Sequence, residues 1–345
     1  MFLKWNAGTE NAFLNYAKIL KDCGFNVINL IHPKSQIIEK LKTNNCFYIK
    51  SLFLGRLAKA DIFTLLYFKY LIKKHKINLV FCHQGRLASL FKKIHNKDFK
   101  LIVVNHGHNY KHAVGSDLAI LLNKDAYQKT LESGQPKEKI TILPNWIDIN
   151  LEFNKLKQYK RNNKIFTIGS YGRFSKEKGY DILIEALKIL NSKKIPFKCL
   201  IGGIGEEENN LKSLATKYKL NDKIKFVGWV KNKKQFLSQI DLFVNPARKE
   251  EFGLILLEAA NYGAAVLSTN CSGPKDIIDD NINGFLTEKE NPQKMAEKLQ
   301  LITEKYKKNS LENIRVKSFE KLEKKYSVQV VKKQLKALIL TYLLK

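Results

Sequence analysis

The chain has 345 residues, 44% of them hydrophobic and 27% charged, and carries a formal net charge of +29. That length holds two domains with cores of their own and excludes a single small scaffold, while 7 prolines and 18 glycines leave no room for a low-complexity region. The positive charge points to an anionic partner such as phosphate, nucleic acid or an acidic membrane surface, although lysines spread along the whole chain beside asparagine and isoleucine read equally as coding bias.

At the N-terminus Met1-Phe2-Leu3-Lys4-Trp5 runs at once into the polar Asn-Ala-Gly-Thr-Glu stretch, which is not the pattern of a signal peptide. No apolar run approaches the length of a membrane span. Cys23, Cys46, Cys82, Cys199 and Cys271 are scattered without zinc spacing and read as reduced thiols. The expected location is therefore cytoplasmic, with at most peripheral contact on the inner face of the membrane. Short apolar runs at 25–30, 78–82, 101–104 and 118–122, then at 165–169, 197–201, 224–227, 242–244 and 265–268, alternate with longer amphipathic stretches. This is the pattern of βαβ units and buried parallel sheets, so the fold class is α/β. The Lys/Asn-rich stretch 150–164 interrupts the alternation as a linker. Two doubly wound domains in tandem would face a central cleft, with ligands outside the carboxyl ends of the strands. From about Phe319 onward, Val328, Val331, Leu335, Leu338 and Tyr342 recur at helical spacing and predict a closing helix.

Between 57 and 76, Phe63, Leu65, Leu66, Tyr67, Phe68, Tyr70 and Leu71 are interleaved with Lys59, Lys69, Lys73, Lys74 and Lys76. Aromatics and lysines on one helix suit an anionic bilayer surface, and they equally suit a helix packed on the N-terminal sheet. His106-Gly107-His108 follows the strand at 101–104, which makes His106 a candidate for chemistry at a strand end. After the strand at 165–169, Arg173 and Lys178 lie on a glycine-bounded loop aimed at a helix that begins near Tyr180, an arrangement suited to a diphosphate or simply to a solvated basic surface. Gly203 and Gly205 follow the next strand and permit close backbone approach to a ligand or a tight turn. The segment from Asn245 to Ala259 carries the densest signal. A helix starting near Gly253 and burying Leu254, Leu257 and Ala260 would leave the amides of Phe252, Gly253 and Leu254 free for sugar hydroxyls or phosphate oxygens. Glu250 before that helix and Glu258 on it offer two carboxylates able to accept from vicinal hydroxyls. Taken alone, Glu258 reads as a salt-bridged helix glutamate.

Together these residues resemble the retaining glycosyltransferases of family 4, the bacterial surface-glycan branch of the group 1 glycosyltransferases, over nearly the whole chain. Asn6-Ala7-Gly8-Thr9-Glu10 is similar to the family's Gly-Gly-x-Glu loop and His106-Gly107 to its strand-end histidine. Pro144-Asn145-Trp146-Ile147-Asp148 resembles Pro-Asn-Gly-Val-Asp, Gly172-Arg173 through Lys178-Gly179 its Gly-Arg-Leu…Lys-Gly, and Gly203-Ile204-Gly205 its Gly-x-Gly. Glu250 to Glu258 resembles the paired-glutamate motif, and Ser272-Gly273-Pro274-Lys275-Asp276-Ile277 its Gly-Pro-Lys-Glu-Ile segment. Trp146 stands where the family has glycine, and Asp276 where it has glutamate.

The resemblance implies a GT-B fold with an N-terminal acceptor domain at 1–155, a nucleotide-sugar domain at 160–320, and a helix at 321–345 that crosses back to the first. Only Met1 to Trp5 precede the Gly8 loop, so the first strand is either minimal or begins upstream of the recorded start. The resemblance further implies that Arg173 and Lys178 hold the donor diphosphate and Glu258 the ribose. Glu250 and the amides of Phe252, Gly253 and Leu254 would meet the donor sugar. His106 would sit by the transferred sugar and Gly8 near the phosphates and acceptor, with Gly203 and Gly205 lining the donor site. No tightly bound cofactor and no metal is expected, and no Asp-x-Asp occurs in the chain. The Gly-Pro-Lys-Asp-Ile variant favours a UDP-sugar donor and a lipopolysaccharide-core or other lipid-linked acceptor. A soluble transferase making a small glycoside or storage polysaccharide is the alternative. A basic nucleic-acid-binding protein is more distant, because the chain lacks an aromatic RNP motif, a zinc framework and a helix-turn-helix.

Overall fold

The structure is a computed structural model that describes residues 8–52, 62–107, 109–149 and 165–343. The expected linker at 150–164, the N-terminal residues through Ala7, the start of the 57–76 segment and His108 lie outside the described residues. The chain divides into two compact units, Met1–Asn145 with Gln329–Lys345, and Trp146–Val328.

The first unit runs α1 (Gly8–Asp22), β1 (Asn29–Ile31), α2 (Ile38–Thr43), β2 (Tyr48–Lys50), α3 (Ile62–Lys74), β3 (Leu79–Cys82), α4 (Gly85–Ile94), β4 (Lys100–Val104), β5 (Leu118–Leu121), α5 (Lys124–Glu132) and β6 (Ile140–Ile142). Strands β3 to β6 form a four-stranded parallel sheet in sequence order, whereas among the described residues β1 and β2 pair with each other alone. Leu101 to Val104 and all of β5 are buried, as central parallel strands covered on both faces must be. A cavity of ≈ 650 Å³ lined by Asn29 and Leu30 of β1, Leu79 and Val80 of β3, and Phe13 and Tyr16 of α1 runs beside both sheets.

The second unit runs β7 (Thr167–Tyr171), α6 (Tyr180–Ser192), β8 (Lys198–Gly202), α7 (Glu208–Lys217), β9 (Ile224–Gly228), α8 (Lys233–Ser238), β10 (Leu242–Asn245), α9 (Leu254–Asn261), β11 (Ala265–Thr269), α10 (Ser272–Ile277), β12 (Phe285–Thr287), α11 (Pro292–Lys307) and α12 (Glu312–Tyr326). Its six strands are parallel in the order β12-β11-β10-β7-β8-β9. From β7 the chain builds outward through β8 and β9, then returns to the other side of β7 with β10. The core packs Ile182, Leu183, Leu187 and Leu190 of α6 with Val244, Leu267 and Leu299.

Where one closing helix was expected, there are two, α12 and α13 (Val328–Leu343). The break is imposed by a distant segment. Ser327 is extended (φ −73°, ψ 148°), and the peptide groups around it bond to Ile147: Ile147 N–H donates to Tyr326 O (3.0 Å) and Val328 N–H donates to Ile147 O (3.1 Å). The preceding Trp146 takes the family's glycine position without a positive φ and is 97% removed from solvent (3% exposed), so packing rather than turn geometry decides that residue. Val331, Leu335 and Ile339 are the buried stripe of α13.

Candidate active site

The loops of interest all leave the carboxyl edge of the second unit's sheet. Because β7 and β10 are neighbours whose connections run in opposite directions, the loop after β7 (172–179) and the loop after β10 (246–253) flank a topological switch point, the usual ligand position in open α/β sheets. Glycines set how closely these loops approach. Gly203 has φ +152°, and a Cβ there would lie 2.0 Å from Gly172 O; Gly172 N–H donates to Gly202 O (2.9 Å) and Phe174 N–H to Ile204 O (2.9 Å). Gly203 and its neighbour Gly205 therefore fasten the β8 loop under the arginine-bearing loop. Gly179 has φ +66°, and a Cβ there would be 2.1 Å from Pro246 O, so only glycine lets the end of the β7 loop rest on the β10 loop.

Glu250 closes this arrangement. Its carboxylate accepts from Lys178 Nζ (2.8 Å) and from Gly253 N–H (3.2 Å), while Gly273 N–H donates to its carbonyl (3.1 Å). Of the three amides expected to be free at the start of α9, that of Gly253 is thus engaged by Glu250. A carboxylate at this end of α9 is also favoured by the helix dipole. The helix buries Leu256, Leu257, Ala259 and Ala260 and leaves Leu254 half-buried, which turns Glu258 toward β7. There the Tyr171 hydroxyl donates to Glu258 Oε2 (2.6 Å) and Lys233 Nζ to Oε1 (2.5 Å). Burial, then the adjacent Glu258, push the Tyr171 hydroxyl far above its ordinary range, so it stays a donor at any working pH.

The two glutamates keep 16% and 18% of their side-chain surface exposed, enough to be reached and little enough to strengthen a hydrogen bond. Each carboxylate has about four acceptor positions, so both retain capacity for hydroxyl groups. Arg173 is exposed and makes no ion pair among the described residues. The β10 loop is held from beneath by Thr269 Oγ1, which donates to Ala247 O (2.6 Å), and from the side by Arg248, whose guanidinium bonds both oxygens of Asp181 (2.8 and 2.6 Å). Burial opposes ionisation of Asp181, but the Arg248 bonds outweigh it and lower its pKa.

The candidates of the first unit are of another kind. Gly8 opens α1. His106 follows β4 and places Nε2 2.9 Å from Nδ1 of His83, the residue after β3. Their rings meet edge to edge, nearly parallel (13°) with centroids 5.2 Å apart. His83 is in turn met edge-on by Phe13 (5.5 Å) and Tyr16 (4.9 Å) of α1. Burial lowers His106 to about 4; burial, then the charge of His106, hold His83 well below the ordinary histidine range. Both rings are neutral at pH 7. Sequence reasoning passed over His83, although its place past the neighbouring parallel strand matches that of His106.

Comparison with known proteins now bears on these loops. Residues 152–319 match the family model described as "Glycosyl transferases group 1". This chain is a glycosyltransferase. It is 27% identical over 314 residues to an uncharacterized glycosyltransferase of Haemophilus influenzae, covering 86% of each chain. It is 30% identical over 236 residues to the capsular polysaccharide biosynthesis glycosyltransferase CapM of Staphylococcus aureus, covering 65% of this chain and 61% of that one. Other relatives are named for lipopolysaccharide core and O-antigen biosynthesis. Among solved structures, Anabaena HepE in complex with UDP and glucose superposes with a TM-score of 0.80 at 19% identity, over 99% of this glycosyltransferase and 98% of HepE. The fold is GT-B, with a parallel α/β sheet in each unit.

Proposed function

We propose that this glycosyltransferase is a retaining, family 4 enzyme that moves a hexose or N-acetylhexosamine from a UDP-sugar to a lipopolysaccharide core or another lipid-linked surface glycan. The observation that carries the reading is the pairing at the switch point: Lys178 with Glu250 and Lys233 with Glu258, beside the exposed Arg173. A diphosphate offers Lys178 more charge than one carboxylate does, so donor binding draws Lys178 and Arg173 onto phosphate and leaves Glu250 to the sugar hydroxyls. As the sugar–phosphate bond breaks, the two cations stabilise the charge that grows on the departing phosphate. Glu258, fixed by Tyr171, accepts from the ribose hydroxyls. The resemblance assigns the amides of Phe252 and Leu254 to the donor sugar, His106 to the transferred sugar and Gly8 to the phosphates. Retention follows from attack on the face the phosphate leaves, with that phosphate taking the acceptor proton, rather than from a pair of carboxylates as in glycosidases. UDP as the nucleotude carrier is supported by the UDP bound to HepE, and a surface glycan as product by the capsular function in the name of CapM.

Peripheral attachment to an anionic membrane is part of the same proposal. Helix α3 packs inward through Thr64 and Phe68, while Ile62, Phe63, Leu66 and Tyr70 are 53–69% exposed beside exposed Lys69, Lys73 and Lys74. No described helix is long and apolar enough to cross a membrane. Incubation with UDP-sugars and lipid acceptor extracts tests the activity, and turnover of at least one UDP-sugar is expected. A folded sample that turns over no UDP- or GDP-sugar sinks the reading. Flotation with anionic vesicles tests the attachment, which Phe63→Ser with Leu66→Ser should abolish.

A further inference from the structure

The structure assigns His83 a role next to His106: we infer that His83 is a positioning residue, whose Nδ1 engages His106 Nε2 so that His106 meets the sugar through Nδ1. This rests on the reading of His106 as a group that serves sugar transfer. Geometry carries it. Imidazole has two ring nitrogens, and a hydrogen bond that holds one of them orients the ring and leaves the other to face a ligand. The 2.9 Å contact uses Nε2 of His106, and among the described residues no contact is made by its Nδ1. His83 itself cannot turn freely, because the rings of Phe13 and Tyr16 abut it edge-on and His106 meets its Nδ1 edge with the two rings nearly parallel (13°). It is 7% exposed. A free strand-end histidine would rotate about its side-chain bonds and present either nitrogen; this one is held by a partner from the next strand. With both rings neutral, the N–H···N bond carries one proton between them, and His106 acts as an oriented hydrogen-bonding group rather than as a cation.

Two substitutions of His83 separate this role from packing. Asparagine places its amide near the position of Nδ1, and glutamine places its amide near that of Nε2. His83→Asn is expected to keep kcat within roughly threefold of wild type, and His83→Gln to lower it roughly 10- to 100-fold, the range for partners that orient a functional group. Donor affinity should be unchanged in both. Nitrogen-15 spectra of histidine-labelled protein should show the Nε2 of His106 hydrogen-bonded in the wild type and in His83→Asn, and this bond lost in His83→Gln. Equal rates for the two variants, or a His106 spectrum unchanged by His83→Gln, overturn the assignment. If the wild-type protein turns over no nucleotide sugar, the reading of His106 in transfer fails by itself, while the spectra still decide whether His83 holds its Nε2.

Discussion

The second unit presents its candidate groups as charges in pairs, and the first presents them as neutral rings joined edge to edge. In Lys178–Glu250 and Lys233–Glu258 the lysines are 31% and 45% exposed and the carboxylates 16% and 18%, so the lysines can be reached by an anionic ligand that exchanges for one partner. In the His83–His106 pair His83 is buried and His106 half-buried, and burial lowers the pKa of both rings, so the pair offers a phosphate no charge to compete for. The difference teaches a division of labour. On the proposed reading, charge that must follow a departing phosphate sits on Lys178 and the exposed Arg173, whereas orientation of a neutral sugar falls to the His106 ring held by His83.

Substitutions in the charged set should have the largest effects. Lys178→Ala is expected to lower kcat by roughly 100- to 1000-fold, the cost of removing one group that stabilises transition-state charge. Glu250→Ala should lower kcat by roughly 100-fold with little change in donor affinity, and Glu258→Ala should instead weaken donor binding roughly 10- to 100-fold, as expected for losing a charged hydrogen-bond acceptor. Steady-state kinetics on both variants would break the comparison if the two glutamates behaved alike. Tyr171→Phe removes only the 2.6 Å bond that orients Glu258 and should raise the donor Kd about fivefold, equivalent to ~1 kcal/mol.

The neutral pair should show itself in acid. Folded His106 titrates at about 4, below its unfolded value, so between pH 6.5 and 4 the unfolded chain binds more protons and stability falls as pH falls. The loss from His106 is on the order of 3 kcal/mol and is complete below about pH 4. Denaturant titrations across this range should show it, and replacing His106 by asparagine should flatten the slope.

How much of this was legible in the sequence follows from the length of each signal. The buried runs that became β4, β5, β7, β8 and β10 are four or five residues long and bounded by turns, so an α/β fold could be read from them. Strands β2, β6 and β12 have three residues each, too few for any period to show. The break at Ser327 was hidden because its cause is Ile147, on a distant segment. The loops bearing Arg173, Lys178 and Glu250 could be placed because each follows a strand directly. Tyr171 and Lys233 were missed as partners of Glu258, since a strand end and a short helix 62 residues apart meet only through the sheet order (171 and 233). The engagement of the Gly253 amide was likewise invisible, because it depends on the rotamer of Glu250.

Calorimetric titration of UDP into the wild type, Lys178→Ala and Glu258→Ala tests the central claim most directly. The account predicts saturable binding to the wild type, weakened roughly tenfold or more in each variant. Binding of equal strength in all three proteins, or none in the wild type, would contradict it.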